Sequence, residues 1–183
     1  TGEVHLVMYV ANQDIPRLQE NPDIAVFLAE GTNHNYMMIN NDLPIFADIN
    51  VRKALDMAID KEAVVSVALD GLAVPVYTQV PVNYTGSSKE NTNSYDPEGA
   101  KELLAKAGID PADIKFDIIC SSELKRRCGE IIQASLADIG IEVTLSTMDL
   151  SAYITVTAEG DYEAAIGSYG SQEILSYLGA VWH

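Results

Sequence analysis

Two serines near the end of the chain lie in the sequence context that most suggests catalysis. Ser168 and Ser171 belong to the run GSYGS. A nucleophile elbow has a glycine two residues before and two residues after the reactive serine. Neither serine has both glycines. A small α/β hydrolase using Ser168 or Ser171 with a nearby histidine is therefore only a less favoured alternative, and no catalytic residue is predicted.

The histidines do not form a recognisable metal motif. The three of them are His5, His34 and His183, and none lies in an HExxH or similar ligand spacing. His34 is expected in an exposed turn. The sequence also contains no GxGxxG or Walker motif, which disfavours nucleotide binding. We therefore predict no metal site and no cofactor.

The balance of charge limits the classes of partner. The chain has 27 acidic and 11 basic residues, a net charge of −16 over 183 residues. Nucleic-acid binding depends on clusters of Lys and Arg that are missing here, so no nucleic-acid partner is predicted. The length suits one domain or one large lobe, and no apolar run is long enough to span a bilayer.

The two cysteines allow two interpretations. Cys120 and Cys128 match neither a zinc spacing nor a redox spacing. Cys128 falls on an apolar helical stripe with Ile132 and Leu136, which favours a buried thiol that acts as a small hydrophobic residue. A local disulfide between Cys120 and Cys128 is the alternative, and it is compatible with an exported protein.

The segment from Asp48 to Gly71 is expected to contain two helices and the joint between them. Apolar residues recur at i, i+3, i+4, i+7 and i+8 in its first half, which predicts a helix with one buried face. Asp48 and Asp60 are placed to cap the two helix starts, and Gly71 to end the second helix. Capping accounts for these carboxylates without an acid–base or metal role. Arg52 is interpreted as an ion-pairing and packing residue.

Strands and helices alternate along the rest of the chain, which predicts a layered α/β fold. The expected strands are 4–10, 24–29, 36–40, 116–120, 141–148 and 164–169. The expected helices start near Asp14, at Pro97, near Glu123 and at Asp149 or Ser151. The strand-helix-strand unit over 116–148 should cross over right-handed with parallel strands. The long aperiodic stretch 72–95 is expected to be a functional or mobile loop.

Three stretches of the chain together resemble one protein family. They read INNDLPIFADINVRKALDMAIDKEAVVSVALDGLAVP from Ile39, YDPEGAKELLAKAGI from Tyr95 and IIQASLADIGIEV from Ile131. In this order they resemble the extracellular solute-binding proteins of family 5, the dipeptide and oligopeptide receptors of ABC importers. The matching residues of the first stretch are Asn41, Pro44, Phe46, Asp48, Val51, Arg52, Ala54, Leu55, Ala58, Ile59, Asp60, Leu69, Gly71, Ala73 and Pro75.

The resemblance implies a fold and a way of working. The fold is a type II periplasmic-binding-protein lobe, a mixed β-sheet flanked by helices, over residues 1–183. This would be the second lobe of a two-lobed receptor, whose first lobe, export signal and lipid anchor lie outside this sequence. The implied function is binding without chemistry: a small solute, most readily a dipeptide or oligopeptide, is trapped between the lobes and delivered to a membrane permease. A monomeric extracellular or periplasmic lipoprotein is expected. A non-transport sensor or partner-docking lobe is the alternative.

Four residues at the end of the last strand are the candidate ligand contacts. Ligands of such proteins bind near strand ends and between lobes, so the candidates are Tyr169, Ser171, Gln172 and Glu173. Peptide receptors of the family commonly have Gly-Trp at this strand end and then an Asp-Pro segment. This chain has Gly167 and Ser168, followed by GSQEILSYLG. The ligand therefore stays open among peptides, nickel complexes, sugars and other solutes.

Overall fold

In the part of the chain that the structure describes, four strands form one mixed sheet. The computed structural model describes residues 4–8, 10–29, 31–78, 80, 84, 87 and 94–170. The strand order in the sheet is β1-β4-β2-β3. The strands are β1 (Asn33–Ile39), β2 (Lys115–Cys120), β3 (Glu142–Thr147) and β4 (Ala164–Gly170).

The strand directions bring three carboxyl ends to one edge of the sheet. β2 is parallel to both β3 and β4, whereas β1 is antiparallel to β4. The carboxyl ends of β2, β3 and β4 therefore lie together with the amino end of β1, and we call this side of the sheet the carboxyl edge. The predicted parallel pairing within the strand-helix-strand unit is confirmed.

Helices connect the strands in the described part of the chain. They are α1 (Ile15–Gln19), α2 (Pro44–Ala47), α3 (Ile49–Ala58), α4 (Lys61–Ala63), α5 (Pro97–Lys106), α6 (Glu123–Ala137) and α7 (Leu150–Glu159). Short 3₁₀ turns cover Asn12–Asp14 and Pro111–Asp113. Among these helices, none is both long enough and apolar enough to cross a membrane. The predicted loop 72–95 falls only partly within the described residues.

Helices pack on both faces of the sheet. On one face, α2, α3, α5 and α6 enclose the larger core, whose most buried large side chains include Phe46, Leu55, Leu104, Ile118 and Leu136. On the other face, α7 packs Tyr153 against Ile119 and Ala165. The result is a helix-sheet-helix arrangement, and the predicted α/β class with a mixed sheet flanked by helices is confirmed.

Aspartate caps begin helices where the sequence predicted them. Asp48 accepts a hydrogen bond from the backbone N of Asn50 at 2.7 Å, and Asp60 accepts one from the backbone N of Ala63 at 2.9 Å. Asp149 caps α7 in the same way. Each carboxylate satisfies an amide that the first helical turn leaves unpaired. These interactions confirm the capping interpretation.

The second half of the 48–71 segment differs from the prediction in its hydrogen bonding. α4 runs directly into a π-helical turn over Val64–Ala68, in which the backbone N of Leu69 donates to the carbonyl of Val64 at 3.2 Å. Gly71 has the predicted left-handed conformation, with φ of 71°, but Asp70 before it is also left-handed, with φ of 54°. The expected regular α-helix is therefore wrong after its first turn.

Arg52 also has a role that the sequence did not predict. Its guanidinium donates to the carbonyl of Phe46 at 2.7 Å and to that of Ala47 at 3.0 Å. These carbonyls belong to the last residues of α2, which a short helix leaves unsatisfied. Arg52 thus ties α2 to α3 through carbonyls, and no carboxylate among the described residues forms the expected ion pair with it.

The strands expected over 4–10 and 24–29 are absent from the sheet among the described residues. The described residues of both segments belong to no strand of the sheet. Their apolar side chains are largely exposed, with Leu6 at 78% and Phe27 at 89%. A strand requires a neighbouring backbone to pair its N–H and C=O groups, and the local pattern of residues does not supply that neighbour.

Candidate functional site

The carboxyl edge gathers polar and aromatic side chains from several elements. β2 ends at Cys120, and Ser121 and Ser122 lead directly into α6. β4 ends at Gly170, which pairs with Asn33 at the start of β1. Crevices outside the carboxyl ends of strands are the usual ligand sites of α/β sheets. This edge is therefore the candidate functional site.

Tyr169 lies within a small group of aromatic side chains from β1 and β4. It pairs directly with His34, and Tyr36 pairs with Gly167. Alternate residues of a strand point to the same face, so these aromatic residues share the face covered by α7. The His34 and Tyr36 rings meet edge to face with centroids 5.8 Å apart. Burial raises the pKa of Tyr36, and the neighbouring Tyr169 raises it further.

Tyr153 of α7 extends this aromatic group toward β2. Its hydroxyl donates a buried hydrogen bond to the carbonyl of Ile166 at 2.9 Å, which anchors α7 on β4. Burial raises the pKa of Tyr153 to about 12, and Tyr36 is the next contributor to this shift. We call Tyr36, Tyr153 and Tyr169 the tyrosine cluster. The hydroxyl group of each tyrosine can accept or donate a hydrogen bond.

The side chain of Lys125 lies beside the tyrosine cluster. The Lys125 ammonium lies 4.9 Å from the centroid of the Tyr153 ring and donates to the Ser121 hydroxyl at 3.2 Å. Partial burial lowers the pKa of Lys125. The combination of aromatic faces, hydroxyl groups and an ammonium can bind a small ligand that is partly apolar and carries a negative group.

The structure tests only part of the predicted site. Tyr169 is at the carboxyl edge, as expected for a strand-end residue. Ser171, Gln172 and Glu173 lie outside the described residues, so their role as ligand contacts stays a prediction. Sequence reasoning missed Tyr36, Tyr153 and Lys125, as well as the placement of His34.

Two signals in the sequence could have found these residues. His34 and Tyr36 are two apart before an apolar run, which would place them on one face of a strand. The prediction that His34 lies in an exposed turn is therefore corrected, since it lies within β1. The second signal is a lysine three residues after the cap Ser122, where helices usually have an acidic residue or glutamine.

The structure does not bring Ser168 and His34 together as the hydrolase alternative would require. Ser168 pairs with Asn35 of β1, whereas His34 pairs with Tyr169. Neighbouring positions in a strand point to opposite faces, so the Ser168 side chain and the His34 ring lie on opposite sides of the sheet. A serine nucleophile requires its base within hydrogen-bond reach. Ser168 and His34 therefore cannot form a catalytic pair.

A cavity lies at the edge of the sheet opposite the carboxyl edge. It has a volume of about 290 Å³, and its lining includes Lys115, Asp117, Thr144 and Glu163. Asp117 accepts from the Thr144 hydroxyl at 2.7 Å, and Glu163 accepts from the backbone N of Asp117 at 2.6 Å. These acidic groups already have partners within the sheet. In the described ranges, no group of three His, Cys, Asp or Glu residues is arranged to hold a metal ion.

Both cysteines are buried free thiols. Cys120, at the end of β2, belongs to the larger core, and Cys128 is buried in α6. The two thiols are not bridged. Burial raises the pKa of Cys120 to about 11 and also raises the pKa of Cys128. The interpretation as buried hydrophobic thiols is confirmed, and the disulfide alternative is wrong.

Alkylation should distinguish these thiols from a disulfide. At pH 8 and without reductant, iodoacetamide is expected to modify neither cysteine in the folded protein and both in urea, because the thiolate is the reactive form. Mass spectrometry counts the added groups. Labelling in urea that requires a reductant would contradict the free-thiol assignment.

Burial of Cys120 should also make stability depend on pH. Because the pKa of Cys120 is higher in the folded protein than in the unfolded chain, the buried neutral thiol contributes to stability at neutral pH, and this contribution is lost as the pH rises toward 11.

The chain is similar to known bacterial binding proteins over most of its length. It is 28% identical over 172 residues to the haem-binding protein A of Haemophilus influenzae, covering 90% of this chain and 31% of that protein. It is 26% identical over 172 residues to the dipeptide-binding protein of Escherichia coli, covering 90% of this chain and 32% of that protein. The chain thus spans about a third of the length of these relatives.

A solved structure shares both the fold and part of the sequence. It is the ABC transporter-associated periplasmic binding protein DppA from Helicobacter pylori in complex with the peptide STSA. The match has a TM-score of 0.85 at 28% identity and covers 93% of this chain and 34% of that protein. The predicted type II periplasmic-binding-protein fold is confirmed by this likeness. A sequence-family model, that of the bacterial extracellular solute-binding proteins, family 5 Middle, matches residues 1–176. The chain therefore belongs to that family.

Proposed function

We propose that this chain is one lobe of the substrate-binding component of an ABC importer, and that the whole protein captures a small solute, most readily a peptide. The observation that carries the proposal is the tyrosine cluster with Lys125 at the carboxyl edge. Aromatic faces suit apolar side chains, and hydroxyl and ammonium groups suit the polar groups of a peptide. The names of the Escherichia coli and Helicobacter pylori relatives support a peptide over other solutes.

The exposed segments 4–8 and 24–29 support a second lobe as the partner of this one. Several of their apolar side chains are more than half exposed, among them Val4, Leu6 and Phe27. Contiguous exposed apolar surface usually marks an interface. Since the chain spans about a third of its relatives, we propose that the rest of the polypeptide forms a first lobe and covers these segments.

The proposed mechanism is closure of two lobes around the ligand, without a chemical step. The tyrosine cluster, together with Ser171, Gln172 and Glu173, would supply this lobe's half of the cleft. Ligand contacts made to both lobes stabilise the closed form, because the open form can make only half of them. The closed protein then docks on a membrane permease. We place the full-length protein outside the cytoplasmic membrane, extracellular or periplasmic, as a monomeric lipoprotein.

The direct test is to identify what the full-length protein carries. The protein is purified without denaturation, and mass spectrometry identifies the small molecules that it releases in acid. A thermal-shift panel of peptides, sugars and metal chelates accompanies this measurement. We expect peptides in the eluate and a melting temperature that rises with peptide concentration, as mass action requires. A sugar or a chelate as the sole stabilising solute would contradict the peptide, and stabilisation by none of them would contradict solute capture.

A further inference from the structure

Lys125 occupies a position in α6 that is electrostatically unfavourable for a cation. Ser122 caps the helix by accepting from the backbone N of Lys125 at 3.3 Å. The residue at this third helical position is usually Glu or Gln, which bonds back to the cap and complements the positive end of the helix dipole. A lysine has the opposite charge. Its presence therefore costs stability and calls for an explanation other than helix formation.

The neighbouring basic residues of α6 have carboxylate partners, whereas no described residue supplies one to Lys125. Arg126 pairs with Glu123 at 2.8 Å and also with Glu130, and Arg127 pairs with Asp70 at 3.1 Å. Within the described ranges, no carboxylate lies within ion-pair distance of the Lys125 ammonium. It is also partly buried, which further disfavours its charged form. Its described partners are the Ser121 hydroxyl and the ring of Tyr153.

We propose that Lys125 and Ser121, on the ring of Tyr153, form the subsite that binds a carboxylate of the ligand, such as the terminal carboxylate of a peptide. This inference rests on the proposed function and names the ligand group that this lobe recognises. An ammonium has three N–H donors, and only one is used by Ser121. The Ser121 hydroxyl accepts that bond, so its own proton is available to a second carboxylate oxygen. A carboxylate can therefore bridge the two side chains.

The tyrosine ring gives this subsite its geometry. The Tyr153 hydroxyl is held by the carbonyl of Ile166, so the ring has a fixed position under the ammonium. A ring face attracts a cation without neutralising its charge, which leaves that charge for the ligand. With a net charge of −16, the chain as a whole repels anions, and a local cation is needed for an acidic group to bind.

The test compares free-acid and amidated peptides on the full-length protein. A mixed library of di- to tetrapeptides is prepared with free carboxyl termini and, separately, with carboxyl-terminal amides. Equilibrium dialysis and mass spectrometry measure the retained peptide. We expect the wild-type protein to retain the acids at least about tenfold more tightly than the amides, as the loss of a charge-assisted hydrogen bond implies. Lys125→Gln should remove this preference by weakening the acids and leaving the amides unchanged.

A matched control separates the subsite from general charge. Lys106→Gln removes a lysine that is exposed and paired with Glu102 on α5, and it should leave both libraries unaffected. Equal retention of acids and amides by the wild-type protein would overturn the subsite while leaving peptide binding intact. Equal weakening of both libraries by Lys125→Gln would overturn it in favour of a purely structural lysine. Retention of neither library would overturn both the subsite and the proposed function.

Discussion

Replacing Phe46 with alanine is expected to destabilise the protein by about 3–5 kcal/mol, the range for removing a large buried aromatic side chain. Phe46 is 0% exposed, and its ring meets that of Phe116 edge to face with centroids 5.1 Å apart. The substitution removes this contact and leaves a cavity between α2 and the sheet. Because Arg52 hydrogen-bonds the end of α2 to α3, we expect the surrounding helices to close the cavity only in part. Urea unfolding followed by circular dichroism measures the change.

The matched control is the same substitution at Phe27. Its side chain is 89% exposed, so Phe27→Ala in the 183-residue chain should change stability by no more than about 0.5 kcal/mol. In the full-length protein the proposed first lobe covers this segment, and the same substitution should then be clearly destabilising. Similar losses for Phe46→Ala and Phe27→Ala in the 183-residue chain would contradict the assignment of the core.

Gly167→Ala is expected to destabilise the protein by about 1–3 kcal/mol, as overpacking does. A Cβ atom at Gly167 would lie 2.7 Å from Cε2 and 3.1 Å from Cζ of the Tyr36 ring. Alanine in a strand is ordinarily more favourable than glycine, so a loss of stability reports the clash. The displaced ring should also disturb the tyrosine cluster and weaken ligand binding by the full-length protein.

A second glycine and a double substitution make this prediction specific. Among the described residues, a Cβ at Gly31 would meet only the backbone N of Asn33, at an ordinary 3.8 Å, so Gly31→Ala should be tolerated. In a Tyr36→Ala background, Gly167→Ala should become neutral or stabilising, because the ring with which the new Cβ clashes is absent. A destabilisation of the same size in both backgrounds would show that the clash is not the cause.

Local features of the sequence predicted much of the fold. Caps such as Asp48 and Asp60 act on amides two or three residues away, so the residue type and the spacing suffice to locate them. The parallel β2-α6-β3 unit follows from the order of its elements and the handedness of crossovers. The sequence likewise placed Gly71 in its left-handed conformation, because the requirement is again local.

The features that the sequence did not predict depend on neighbours far away in the chain. Segments 4–10 and 24–29 have the composition of strands, yet pairing requires a partner that residue patterns do not reveal. Tyr36 meets Gly167 across 131 residues only because β1 and β4 adopt one particular register, through which Tyr36 joins Tyr153 and Tyr169. The expectation that ligands bind near strand ends therefore identified Tyr169 but not Tyr36 or Tyr153.

The most direct test of the central claim compares peptide binding by the 183-residue chain and by the full-length protein. Both are dialysed against the same library of free-acid di- to tetrapeptides, after circular dichroism shows that each is folded. Since one lobe offers only half of the cleft, we expect the full-length protein to retain peptides and the single lobe to retain none at the same concentration. Equal retention by the two proteins would contradict capture between two lobes, and retention by neither would contradict the peptide-binding function.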